Sequence, residues 1–166
     1  LRFGDRSGGA IRLIGYDIDR DRVLPGDEVI VTLCWQALAP MDDDYVYFVH
    51  LLGPEESKVG ARDTHPGLGR YPTGRWVTGD AFCDDVRLPV DASAPAPAVY
   101  DIAIGWYAYE MIGVDDTGTV KIEITRQLPA RTADGAPLEL VTLGQVKVRP
   151  GAYAAVEAPN RLDADL

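Results

Sequence analysis

The sequence predicts an all-β fold in which two antiparallel sheets pack face to face as a β-sandwich. Three observations predict it. Apolar and polar residues alternate with period two in segment after segment. Turn signals separate those segments at intervals typical of sandwiches and barrels. No stretch longer than a turn or two carries helical spacing with caps.

Residues 10–18, AIRLIGYDI, alternate, and after the charged stretch 19–22 the pair Pro25-Gly26 makes a turn. A long strand follows over 28–38. Val29, Val31, Leu33 and Trp35 share one of its faces; Glu28, Ile30, Thr32, Cys34 and Gln36 share the other, so Trp35 is a core residue. The run 45–53, YVYFVHLLG, is nearly all apolar and predicts a central strand buried on both faces. Residues 57–63 predict a short edge strand, and alternation resumes over 80–90 with Phe82, Val86 and Leu88.

The proline-rich segment 89–98 has linker composition but joins strands of the same pattern, which makes it a connection within one domain. The next strand, 99–109, sets Tyr100, Ile102, Ile104 and Trp106 against Asp101, Ala103, Tyr107 and Tyr109. A turn is expected over 113–118, a strand over 120–128, a tight hairpin turn at Asp134-Gly135, and the last strands over 138–148. Eight or so antiparallel strands with two inward tryptophans predict an immunoglobulin-like or jelly-roll sandwich. It forms a single domain over 1–149, with an irregular tail or linker over 150–166.

With 16 basic and 26 acidic residues the net charge is −10, which repels phosphate backbones and anionic headgroups. Nucleic acid is thereby excluded as a partner. No apolar run reaches the roughly 18 residues of a spanning helix, so no direct membrane insertion is expected. The chain opens at Leu1 with neither a Met nor a signal peptide, and reads as a fragment of a longer protein. Cys34 and Cys83 fall on the outward phase of their strands; they form a bridge if those strands are neighbours and stand as two thiols if they are not.

Motifs for chemistry are lacking. Asp17, Asp19, Asp21 and Glu28 match a helix–loop–helix calcium site in spacing, but Arg22 stands where that loop needs glycine, and strands flank it. A solvated charged turn is the better reading. There is no Gly-x-Ser-x-Gly elbow around Ser7, Ser57 or Ser93; His50 lies within an apolar strand as a satisfied core or edge histidine, and His65 sits in a loop with no cysteine or second histidine near it. No cofactor motif and no metal set emerges, and a non-catalytic protein is expected.

The segment 62–76, RDTHPGLGRYPTGRW, stands apart, with three arginines, a histidine, two aromatics and neither helical nor strand periodicity. Asp63, His65, Arg70, Tyr71, Arg75 and Trp76 supply the aromatic faces and polar groups that a sugar site uses, on a loop where sandwich sites usually sit. The alternative is that Pro66 and Pro72 stiffen the loop while Tyr71 and Trp76 fold back to cap the core and an arginine pairs with Asp63 or Asp80. The burial of Trp76 and Tyr71 decides between the two.

Together with that loop, the runs FGDRSGGAIRLIGYDIDRDRVLPGDEVIVTLCWQAL, DYVYFVHLLG, AVYDIAIGWY and LPARTADGAPLELVTLGQVKV carry a resemblance over about residues 3–148. The chain resembles a bacterial extracytoplasmic β-sandwich module found after multi-spanning membrane glycosyltransferase-like regions, sometimes in tandem. A more distant likeness, through PGDEVIVTLCWQA, is to glycan-recognising sandwich domains of polysaccharide exporters. The resemblance implies an extracytoplasmic location, a parent membrane protein and a glycan or cell-envelope partner; it brings no reaction. NRLDADL, residues 160–166, looks like the lead-in to a further unit of such an array, or is simply an acidic tail. The expected function is a non-catalytic glycan- or envelope-binding accessory module, or else a structural spacer or protein-interaction domain without a small ligand.

Overall fold

The computed structural model describes residues 1–4 and 10–151. Ser7 and the tail carrying the tandem-array reading lie outside the described residues. Two sheets face each other. The first contains, in spatial order, β11 (Pro137–Leu138), β10 (Ala130–Arg131), β1 (Arg2–Phe3), β2 (Ile11–Ile18), β4 (Glu28–Ala37) and β7 (Ala81–Pro89). The second contains β3 (Arg22–Val23), β12 (Val141–Val148), β8 (Ala98–Val114), β5 (Val46–Leu52) and β6 (Lys58–Thr64), with β9 (Val120–Leu128) paired to the far half of β8. Strands β2, β4 and β7 keep the A-B-E order, and β12, β8, β5 and β6 the G-F-C-C′ order, of an immunoglobulin-like sandwich.

Period-two alternation accounts for the core. Val29, Val31, Leu33 and Trp35 of β4 are fully buried, and Tyr100, Ile102, Ile104 and Trp106 of β8 meet them from the other sheet. The Trp35 and Trp106 rings pack edge to face with centroids 4.9 Å apart. On the outward phase Cys34 lies directly opposite Cys83 in the β4–β7 ladder, and the two form a disulfide.

Two expectations need correction. Strand β5 is central, but only its inward face of Tyr47, Val49 and Leu51 is fully buried; Phe48 and His50, on the outward face, are partly exposed because no further layer covers them. Strand β8 runs to Val114 rather than ending near Tyr109, because β9 supplies a partner for its extension. The two halves of β8 use different partners on that edge: Ala98–Ile104 pair with β12, and Trp106–Val114 with β9. Gly105 marks the change. A Cβ there would stand 2.4 Å from the Phe48 ring, which lies over the bare backbone.

The registers bring the end of β4, the start of β5, the end of β6, the start of β7 and the far half of β8 to one end of the sandwich. The connection between β6 and β7 therefore starts beside the hairpin of β8 and β9.

Candidate functional site

The β6–β7 connection is tied down along its whole length. The Gly67 N–H donates to Asp84 Oδ2 at 2.8 Å, a carboxylate that also accepts the Tyr47 hydroxyl at 3.0 Å. Thr73, with no exposed surface, donates to the Asp43 carbonyl at 2.7 Å and accepts the Tyr45 N–H at 2.8 Å. Asp80 Oδ2 accepts the Tyr71 hydroxyl at 2.5 Å and the Val77 N–H at 2.9 Å, and these bonds hold its carboxyl below the usual range. The expected arginine pairing with Asp63 or Asp80 does not form, since tyrosine, histidine and backbone donors occupy both carboxylates.

Trp76 is only 3% exposed. Its ring stacks on Tyr71 at 5.8 Å, meets Phe82 at 4.7 Å and Trp106 at 6.0 Å edge-on, and its indole N–H donates to the Tyr71 carbonyl at 2.9 Å. Tyr71 is half-buried by the same cluster. Neither ring lies open in a concavity, so Trp76 acts here as a core cap, not as a ligand face. The cause is the N-terminal half of β7: it turns Phe82 inward, leaving an aromatic gap between the sheets that the loop fills. Arg70 and Arg75 are exposed and form no ion pair among the described residues.

Asp63 and His65 are placed differently. They line an open depression of about 370 Å³ between the outer face of the second sheet and the β8–β9 hairpin, with Tyr107, Tyr109, Met111 and Ile122. Asp63 Oδ1 pairs with His50 Nε2 at 2.7 Å, and its Oδ2 accepts the Tyr107 hydroxyl at 2.7 Å. Burial acts to raise the Asp63 pKa, but the hydrogen bonds from His50 and then Tyr107 outweigh it and hold the carboxyl below its ordinary range. Burial, followed by the Asp63 carboxylate, pushes the Tyr107 phenol up, so it stays a proton donor. His65 lies 6.1 Å from the Tyr109 ring, and its buried Nδ1 finds no hydrogen-bond partner among the described residues. None of the hydrogen bonds of the His50–Asp63–Tyr107 set reaches a serine, threonine or cysteine.

Sequence reasoning thus found Asp63 and His65 but missed Tyr107, Tyr109 and the hairpin residues that face them. Tyr107 and Tyr109 did share the outward phase of their strand, and that was the available signal. The acidic turn after β2 is self-satisfied: Asp19 Oδ1 accepts the Ile30 N–H at 2.8 Å, while its Oδ2 binds Arg20. No group of three or more metal-ligating side chains comes together among the described residues, and no helix there is long and apolar enough to cross a membrane. No family model matches the chain, and a search of curated proteins gave no match.

Proposed function

We propose that the chain is a non-catalytic accessory module of an extracytoplasmic bacterial protein, and that it binds a glycan or another cell-envelope component in the depression beside the β8–β9 hairpin. The convergence there of the ionised Asp63 with the Tyr109 and His65 rings and an apolar wall carries this reading. An aromatic face covers the apolar side of a sugar ring, and a carboxylate and an imidazole nitrogen accept or donate to its hydroxyls. The Cys34–Cys83 disulfide supports an oxidising compartment. The resemblance to modules that follow membrane glycosyltransferase-like regions supports the parent protein. The net charge of −10 argues against nucleic acid.

The test is a glycan array probed with the wild type, Tyr109→Ala and Trp76→Phe. Binding that Tyr109→Ala abolishes and Trp76→Phe preserves supports the reading. Absent binding, or binding indifferent to Tyr109, refutes it. A second reading, an assembly or spacer domain without a small ligand, is favoured by the burial of Trp76 and by the apolar residues the hairpin leaves exposed.

A further inference from the structure

The β8–β9 hairpin projects from the sandwich as an arm. Val120, Ile122 and Ile124 of β9 and Met111, Ile112 and Val114 of β8 are all exposed, Met111 to 74%. Hydrophobic side chains left in water along a regular strand mark a contact surface more often than an accident. Among the described residues strand β9 pairs with β8 alone, so over residues 120–125 its other edge offers a row of backbone groups outside any ladder. The arm is built to hold its shape. At its tip Asp115 Oδ1 accepts the Thr117 N–H, the Thr117 hydroxyl and the Thr119 N–H, and Gly118 takes the left-handed conformation with φ of 84°.

The residues of that free edge, TVKIEIT over 119–125, are complementary to themselves. An antiparallel copy centred on Ile122 sets Lys121 against the second copy's Glu123 and Glu123 against its Lys121. Val120 then meets the second copy's Ile124, Ile122 meets itself, and threonine meets threonine at both ends. Moving the centre by one residue sets Lys121 or Glu123 against its own copy. Within one chain the charges are badly placed: Glu123 lies directly opposite Glu110, and neither carboxylate nor Lys121 forms an ion pair among the described residues. Like charges opposed across a ladder destabilise it. A second copy would bring Lys121 to that acidic pair.

We propose that the chain self-associates through β9, forming a twofold-symmetric, four-stranded ribbon β8–β9–β9–β8 centred on Ile122. Backbone hydrogen bonds and the apolar pairs supply the affinity, and the two Lys121–Glu123 pairs fix the register. The twofold axis runs perpendicular to the ribbon, so both arms turn their Met111 and Ile122 faces, and both depressions, to the same side. A surface bearing repeated ligand would then be gripped at two points. This inference deepens the assembly reading and does not need the glycan site, since neither Lys121 nor Glu123 lines the depression.

Analytical ultracentrifugation of the full 166-residue chain tests it, with Lys121→Glu, Glu123→Lys, and both together. Each single substitution opposes like charges across the symmetric pair, whereas the double variant and a one-to-one mixture of the two singles restore opposite charges. The expected result is a wild-type dimer, weakened about tenfold or more by either single substitution and recovered in the double variant and the mixture. Circular dichroism checks that the variants, altered only at exposed positions, are folded. A wild type that stays monomeric to about 1 mM overturns the proposal. So does a dimer indifferent to both single substitutions, which would place the interface elsewhere, or single variants that fail to complement each other.

Discussion

Two extensions leave the same end of the sandwich, and they use their residues in opposite ways. The β6–β7 connection has the composition of a recognition loop, yet its aromatics and turn residues are consumed by the fold: Trp76 fills a gap between the sheets and Thr73 satisfies two backbone groups. The β8–β9 arm has the composition of ordinary strands, yet its apolar side chains remain in water and its outer edge meets no other strand among the described residues. The difference teaches that function-like residue types are informative only after the fold has taken what it needs. A loop able to bond to itself and to the core spends them; a regular hairpin that outgrows its sandwich cannot bury what it carries.

The comparison can be broken most readily at Trp76. Trp76→Ala removes a buried ring from contact with Tyr71, Phe82 and Trp106, and should cost roughly 3–5 kcal/mol, lowering Tm by on the order of 10 °C in a thermal melt. A loss of no more than about 0.5 kcal/mol would return the residue to the surface, within the range of ordinary exposed substitutions. Thr73→Val keeps the shape but removes the buried hydroxyl that accepts the Tyr45 N–H and donates to the Asp43 carbonyl, so chemical denaturation should show a loss of about 1–3 kcal/mol.

Asp63, between the two regions, gives a pH-dependent effect. Its folded-state pKa is depressed, so its contribution is present above the unfolded value of about 3.9 and is lost as pH falls through the folded value. The urea midpoints of the wild type and Asp63→Asn should therefore differ at neutral pH and converge on acidification below about pH 4. A gap that stays constant through that range would mean that the carboxylate charge is not what His50 and Tyr107 hold. The smallest effect belongs to the arm: Ile124→Thr, in dilute solution, should change stability by no more than about 0.5 kcal/mol.

Much of the fold was legible because the strands of the core alternate strictly. The inward set of β4 and the inward set of β8 emerge as read, down to the two tryptophans that meet across the sheets. The short strands β1, β3, β10 and β11 were not legible, since two residues carry no period. Nor was the disulfide, which depends on β4 and β7 being neighbours with Cys34 and Cys83 in register. Of the candidate site, Asp63 and His65 lie in the depression, whereas Tyr109, Met111 and Ile122 come to them only because β8 runs past the sheet and bends back as β9. Alternation reports which face of a strand a residue takes, but not whether anything lies above that face. For the same reason the alternation over 120–128 predicts a strand there but not that its Val120, Ile122 and Ile124 are exposed.

Native-state hydrogen exchange in dilute solution tests the central contrast most directly, by comparing the backbone amides of Tyr71 and Trp76 and the Trp76 indole N–H with the amides of β9. The loop positions, bonded to Pro66, Thr73 and Tyr71 carbonyls, should exchange only through openings close to global unfolding, while β9 exchanges through local fraying. Loop amides that exchange as fast as those of β9 would contradict the account, and would make residues 62–76 the mobile recognition segment that their composition suggests.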